Sequence, residues 1–347
     1  MKTIVIPTPG LTSHGGVRVL AAIANRLVDQ GCDVIIYVPD RPAVSPFQLD
    51  DRVVVRKIGL RSDNKFIAGV TFLIALPMHL ANRFVLANHF STVFPAWLSS
   101  KLLGARYVYF VQDIEYRFYV GRFYRIIRAA CEWTYRRGQL IAANSYLATE
   151  LVRYQKVLLT TRLGVADGFF SVPSKSLSKD FEIIYFLRGE NHKRIDRFDT
   201  LLPFILAKKF RVLCVSQNRK LLDTYSHRVA TLCPADDGDI IQALDRSKIL
   251  LLTSDHEGFS LPPLEAMARG VPSVMFECGG PSVYAMHGKN CLIVDDGKEQ
   301  TALKFIEQLL ADGSLYSDLS KSARATALQF KLIDAIDALA DYLLRAA

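Results

Sequence analysis

Short apolar strands alternate with amphipathic helical stretches along both halves of this chain, and that alternation constrains the fold more than any other feature. In the first half TIVIP is followed by a glycine-containing turn, the helix GVRVLAAIANRLVDQG and the strand DVIIYVP. RYVYFVQD and QLIAANS read as further strands, with an arginine-rich helix between them and the helix YLATELVRYQ after them. The second half repeats the pattern, with FEIIYFL, RVLCVS, KILLLTS and VPSVMF as strands and helices between them. Such βαβ repetition implies parallel sheets covered by helices on both faces. The predicted class is α/β with two Rossmann-like domains, which 347 residues can accommodate. The seam is expected between Asp167 and Lys179, where ADGFFSVPSKSLSKD is turn-rich and serine-rich.

Ligands of open parallel sheets bind beyond the carboxyl ends of the strands, so the turns there matter most. After the first strand, Gly15 and Gly16 let backbone amides approach a ligand at a helix start. The turn is not G-x-G-x-x-G, so no dinucleotide fingerprint is present. After FEIIYFL, Arg188 and Lys193 stand five apart, a forked guanidinium and a flexible ammonium able to clamp a diphosphate, or else a solvated turn.

After KILLLTS comes HEGFSLPPLEAMARGVPS, residues 256–273. Ser260 reads as an N-cap, with Pro262 and Pro263 at the helix start and Gly270 at its end. A capping serine accepts from the second or third helical N–H, but both positions are proline, so the hydroxyl finds no donor there. The amides of Phe259, Ser260 and Leu261 lie at the positive end of the helix dipole, a site for a phosphate. Glu257 and Glu265 beside such a site suit hydrogen bonds from neutral hydroxyls, as on sugars. The segment thus suggests a pocket for a polyhydroxylated phosphate ester, although an ordinary capped helix with two surface glutamates fits the same residues.

Charge is placed unevenly. Residues 1–170 carry 21 Lys and Arg against 11 Asp and Glu, and the remainder 22 against 23. Much of the excess falls in RFYVGRFYRIIRAACEWTYRRG, residues 117–138, where six arginines interleave with aromatic residues. That composition suits an interfacial helix on anionic lipid or a solvated helix with its aromatics inward; nucleic acid is not an expected partner. FIAGVTFLIALPMHLAN, residues 66–82, has no charge but is short for a span and contains Pro77, so a buried or interfacial helix is expected. Six scattered cysteines without C-x-x-C read as reduced core residues of a cytosolic protein, and the short apolar N-terminus as a first strand, not a signal peptide.

The residues resemble a known family. SDHEGFSLPPLEAMARGVPSVMFECGGPSVYAMHGKNCLIVDDG looks like the donor-site signature of family 4 retaining glycosyltransferases of the GT-B fold, with Glu257 and Glu265 at the E-x7-E positions and Gly270, Pro272, Gly279, Gly280, Gly288 and Asn290 in order. HGGVRVLAAIANRLVDQGCDV resembles the family's first loop and helix, FLRGENHKR its Arg/Lys diphosphate clamp and RLGVADGFF its interdomain segment. FVQDIEYRFY and TYRRGQLIAANSYLATEL are most similar to rhamnosyltransferases of bacterial surface-polysaccharide assembly.

The resemblance implies two parallel sheets facing a central cleft, with an acceptor-side domain of residues 1–168, a donor domain of 169–330 and a C-terminal helix, 331–347, that crosses back onto the first. It implies retaining transfer of a hexosyl group from a nucleotide-diphosphate donor, UDP- or dTDP-linked, to a glycan or lipid-linked glycan. No cofactor and no metal are expected, and Asp237-Gly238-Asp239 reads as helix capping. Glu257 would contact the donor sugar and Glu265 the ribose, while Arg188 and Lys193 neutralise the diphosphate with the amides around Gly258, Phe259, Ser260 and Leu261 and the Gly15–Gly16 loop. Gln112 stands where many relatives carry a histidine near the 6-hydroxyl of a hexose, which suggests a 6-deoxy sugar such as rhamnose; Asp113 and Glu115 are acceptor-side candidates. The location implied is cytoplasmic, peripheral on the inner membrane face. Alternatives are a catalytically silent GT-B scaffold at the membrane and a sugar-nucleotide epimerase.

Overall fold

A computed structural model describes residues 2–11, 15–41, 48–171 and 178–347. Part of the first glycine turn, residues 12–14, and part of the expected seam, residues 172–177, lie outside the described residues. The chain divides into two compact units, Met1–Arg162 with Asp334–Ala347, and Leu163–Ile333.

In the first unit the chain order is β1 (Thr3–Pro7), α1 (Gly15–Asp29), β2 (Asp33–Pro39), β3 (Val54–Ile58), α2 (Lys65–His79), β4 (Phe84–Ala87), α3 (Phe90–Leu102), β5 (Arg106–Val111), α4 (Tyr124–Arg137), β6 (Leu140–Ala142), α5 (Ser145–Leu151) and β7 (Val157–Thr160). The strands form a sheet in the order β3-β2-β1-β4-β5-β6-β7, parallel throughout. Central strands of a parallel sheet are covered on both faces and so read as unbroken apolar runs. Ile4, Val5 and Ile6 of β1 are accordingly fully buried, as are Val85, Leu86 and Ala87 of β4.

The second unit runs β8 (Phe181–Phe186), α6 (Ile195–Ala207), β9 (Val212–Val215), α7 (Arg219–Asp223), β10 (Ala230–Leu232), α8 (Asp237–Asp245), β11 (Ser247–Leu252), α9 (Leu261–Ala268), β12 (Ser273–Phe276), β13 (Leu292–Val294), α10 (Glu299–Ala311) and α11 (Gly313–Ala327). Its sheet is also parallel, in the order β10-β9-β8-β11-β12-β13. Ile183, Phe198, Ile205, Ile249, Val274 and Ile306 join one apolar cluster in which α6 and α10 cover the sheet. Each such side chain stabilises the unit by about 1.5–3 kcal/mol on burial. The expected α/β class and parallel sheets are what the structure has.

The last helix, α12 (Leu332–Ala346), belongs from Asp334 onward to the first unit. Ala335, Ile336, Leu339, Ala340 and Leu343 are buried, a spacing that puts them on one helical face. Asp337 pairs with Arg26 of α1 at 2.6 Å, and the Lys2 ammonium and Arg106 guanidinium donate to the carbonyls of Leu344 and Ala346.

The uncharged stretch 66–82 forms α2, capped by Asn64, whose side chain accepts from the N–H groups of Phe66 and Ile67. No helix of the described residues is long and apolar enough to cross a membrane. In the arginine-rich segment Tyr135 is buried while Phe123 is exposed, so its aromatics divide between core and surface. All six cysteines are free thiols, and every one but Cys233 is buried. Asp236, one residue before the D-x-D, is the true cap of α8: it accepts from the Asp239 N–H, while the Asp239 carboxylate accepts from that of Ala235. The expectation that Asp237-Gly238-Asp239 caps a helix is corrected by one step, because these residues form its first turn and the cap is Asp236.

Candidate active site

Within the second sheet, β8 and β11 are neighbours, and the chain winds outward from them in opposite directions. A doubly wound sheet opens a crevice at such a switch point, beyond the carboxyl ends of the strands. Arg188 and Lys193 follow β8 and Glu257 follows β11. The topology therefore brings together residues 64 or more apart in sequence.

The Lys193 ammonium donates to both oxygens of Glu257, at 2.8 and 2.9 Å, and the Ser254 hydroxyl donates to one of them at 2.7 Å. The side chain of Glu257 is 8% exposed, which removes the reading of a surface glutamate. The resemblance assigns Lys193 to the diphosphate and Glu257 to the sugar; in the structure the two are paired with each other. Arg188 is different: among the described residues it has no carboxylate partner. It is half-buried, and its charge is available to an anion.

The turn holding Lys193 is docked on the end of β11. The Thr253 hydroxyl donates to the Lys193 carbonyl at 2.8 Å and exchanges a hydrogen bond with the Tyr185 hydroxyl at 2.9 Å. The Asp255 N–H donates to the His192 carbonyl. Arg197, almost fully buried on α6, donates to the Thr253 carbonyl and pairs with Asp296. Ser254, Thr253, Tyr185 and Arg197 escaped sequence reasoning because each lies in an ordinary strand or helix context, and only the fold shows what they brace.

Ser260 caps α9 without a side-chain hydrogen bond, as the prolines at the second and third helical positions dictate. Its hydroxyl is buried and has no partner among the described residues. Its backbone sits at φ 63° and ψ 97°, where a side chain is strained, a cost of order 1–3 kcal/mol. Tyr284 holds that conformation, donating its hydroxyl to the Ser260 carbonyl at 2.6 Å, and packs edge-on against Phe259 with ring centroids 5.4 Å apart. Leu261 opens α9, and Glu265, one turn in, is buried.

The loop is sealed from the other side. Glu257 N–H donates to the Cys278 carbonyl and Gly280 N–H to the Glu257 carbonyl, forming a parallel bridge. A Cβ on Gly280 would lie 2.6 Å from the Glu257 carbonyl oxygen and also collide with Gly258, so Gly280 and Gly258 approach at a distance only glycine permits. Asn290 is fully buried and ties the Tyr284 and Met286 backbone together, donating also to Thr326.

In the first unit, the switch point lies between β1 and β4. Gly15 and Gly16 open α1, and the Gln112 amide donates to the Gly16 carbonyl at 3.4 Å. Asp113 accepts from the Ile114 N–H at 2.7 Å, closing a local turn. Glu115 is buried: its carboxyl accepts from the Tyr109 hydroxyl and the Phe90 N–H and lies 4.0 Å from His89. Burial lifts the Glu115 carboxyl to about 8, opposing the two donors that favour its ionised form. Burial likewise pushes the His89 imidazole down to about 4. His89 was not among the sequence candidates, because as the cap of α3, two residues beyond a four-residue strand, it carries no motif.

Residues 13–157 match the family described as Glycosyltransferase Family 4, and residues 173–326 that described as Glycosyl transferases group 1. Curated relatives include the D-inositol 3-phosphate glycosyltransferase of Jonesia denitrificans, 33% identical over 97 residues, which is 28% of this chain and 23% of the relative. The lipopolysaccharide core biosynthesis glycosyltransferase LpsE of Rhizobium meliloti is 33% identical over 78 residues, 22% of this chain and 23% of its own length. The chain thus matches about a quarter of the length of these relatives. Among solved structures, sucrose-phosphate synthase from Thermosynechococcus elongatus superposes with a TM-score of 0.81 at 15% identity, over 100% of this chain and 99% of that one. Anabaena HepE in complex with UDP-glucose gives 0.77 at 17% identity, covering 100% of both chains. With two adjoining family matches spanning most of its length and two parallel α/β sheets of matching fold, the chain belongs to the family 4 glycosyltransferases of the GT-B fold.

Proposed function

We propose that the protein transfers a glycosyl group from a nucleotide-diphosphate sugar to a hydroxyl of a glycan or lipid-linked glycan, with retention of anomeric configuration and without a metal ion. The observation that carries this reading is the set of groups that follow β8 and β11 at the switch point: the Lys193–Glu257 ion pair, Arg188 five residues before Lys193 in the same connection and with no carboxylate partner among the described residues, and a Ser260 hydroxyl with no partner among the described residues. Arg188, Lys193 and the start of α9 suit the diphosphate, and Glu257 and Glu265 suit the sugar and ribose hydroxyls. In transfer the bond from the anomeric carbon to the phosphate oxygen breaks and one to the acceptor oxygen forms on the same face. The acceptor proton passes to the departing phosphate, whose gathered charge Arg188 and Lys193 offset without rearrangement.

The donor class is that of the UDP-glucose bound by HepE. Gln112 in place of a histidine supports a 6-deoxy donor such as dTDP-rhamnose, and the basic first unit an acceptor presented on the cytoplasmic face of an anionic membrane. The test is a thermal-shift series with nucleotide sugars, since a ligand bound only by the folded state raises its midpoint. The expected outcome is a shift with UDP- or dTDP-sugars that disappears in Arg188→Ala and Glu257→Ala and persists in excess chelator. Selective use of UDP-glucose would reject the deoxysugar donor, and loss of turnover on chelation the metal-free clamp.

A further inference from the structure

The outward face of α2 is of the wrong chemistry for a helix facing water. Phe66, Val70, Ile74 and Met78 recur every four residues and form one row along the helix, with exposures of 77, 39, 73 and 70%. Ala68, Phe72 and Leu76 already fill the core side, so α2 is apolar all round. A solvated helix carries its charges outward; here the charge-free run of residues 66–82 covers the whole helix after Lys65. The row extends about 18 Å.

α2 packs on α3, and α3 on α4. Phe94 of α3, half exposed, stands 5.8 Å from the ring of Trp133 on α4 and 5.9 Å from Trp97. Arg122, two residues before α4, and Arg125 and Ile126 in its first turn are all exposed. From Asn64 to Gln112 the chain has no Asp or Glu, and the sole carboxylate of α2, α3 and α4 is Glu132, paired with Arg128 and Arg136.

We propose that the α2 row, flanked by Arg122 and Arg125 at the start of α4, docks on an anionic lipid bilayer. It rests on the membrane partner suggested above and places it on α2, the stretch expected from the sequence to be buried or interfacial, with the arginine-rich segment at its flank. Charge decides between occupants. A second copy of this chain would bring arginine against arginine, whereas an anionic bilayer neutralises them while its acyl region takes the apolar row. Both signals are needed, because a modest apolar insertion alone binds reversibly and weakly, and each Lys or Arg brought near an anionic surface strengthens binding roughly fivefold.

The experiment is flotation of the full chain with phosphatidylcholine vesicles, with and without phosphatidylglycerol, at low and high salt. The expected result is co-flotation with phosphatidylglycerol vesicles at low salt, weakened by salt. Ile74→Asp with Met78→Asp should lower the partition coefficient at least tenfold, and Arg122→Glu with Arg125→Glu should abolish the preference for phosphatidylglycerol. Both variants should keep the wild-type melting midpoint and the nucleotide-sugar thermal shift, so failure here is distinct from failure of the donor reading. The proposal is overturned if the wild type stays unbound, if Ile74→Asp with Met78→Asp floats like the wild type, or if sedimentation shows a dimer that the same substitutions disperse.

Discussion

Two prolines occupy the positions that the Ser260 hydroxyl would serve as a cap, and in the fold that hydroxyl is buried, without a partner among the described residues, and held in a strained backbone by Tyr284. A buried hydroxyl without a partner costs about 1–3 kcal/mol, so Ser260→Ala should leave the melting midpoint unchanged or raised. If the hydroxyl instead binds donor, the same variant should lose roughly threefold to tenfold in donor affinity by calorimetry, a combination that a packing role would not give. Lys193 and Glu257 behave in the opposite way. Lys193→Met strands a buried carboxylate and should destabilise by about 1–3 kcal/mol, discounted from the cost of a fully buried pair because Lys193 is 23% exposed. The double variant Lys193→Met with Glu257→Gln should recover stability in denaturant titration but not donor binding. Glu115 gives a pH signature. Its folded carboxyl keeps a proton up to about 8 that the unfolded chain releases near 4.3, so stability falls as pH rises through that interval. His89, held neutral down to about 4, adds stability as pH rises toward 6.5, which masks the lower part. Between about 6.5 and 8 only Glu115 of this pair titrates, and there the melting midpoint of the wild type should fall more steeply than that of Glu115→Gln.

At the level of elements, the sequence pattern revealed eight strands, and four of the five it missed are the sheet edges. β3 and β7 bound the first sheet, β10 and β13 the second. An edge strand has one neighbour and partial cover: β3 exposes Val54, Val55, Arg56 and Lys57, and β10 exposes Ala230 and Thr231. Neither shows the unbroken apolar run that marks a central parallel strand. The fifth, β4, is central and fully buried, but four residues are too few to display a period. The site was legible where backbone constraint leaves a mark, at the prolines and glycines, and illegible where an ordinary Ser254, Thr253 or Tyr185 acquires its role from a strand far off in sequence. Two glycines of the signature separate the constraints. Gly280→Ala meets backbone atoms of Glu257 and Gly258 and must shift the loop that holds Glu257. It should destabilise by about 1–3 kcal/mol, as overpacking does, and weaken donor binding as well. Gly288→Ala has open space around its Cβ but sits at φ 71°, so it should cost about 1–2 kcal/mol with donor affinity unchanged. Paired denaturation and calorimetry on the two variants check the difference.

At the scale of the whole molecule, the chain's last fourteen residues join the unit that its first strand begins. Asp334–Ala347 cluster with Met1–Arg162, although an entire second unit intervenes in sequence. The amphipathic spacing of LIDAIDALADYLLRAA is visible in the sequence, but where its apolar face goes is not, since periodicity fixes a face and leaves its partner open. Magnitudes decide what its loss would do. Ile336, Leu339 and Leu343 are essentially buried, with Ala335 and Ala340 beside them, and the three large side chains alone contribute about 5–9 kcal/mol on burial. A domain of this size is stable by about 5–15 kcal/mol in total. Ending the chain at Ile333 should therefore leave the first unit near or past its unfolding threshold and the second intact, since the core of Ile183, Phe198, Ile249 and Val274 lies wholly within Leu163–Ile333. Hydrogen exchange distinguishes the outcomes: amides of β1, β2 and β4 should lose protection in the truncated chain while those of β8, β11 and β12 keep it. Equal protection of β1 in both chains would show that α12 only covers the first unit and does not complete its core.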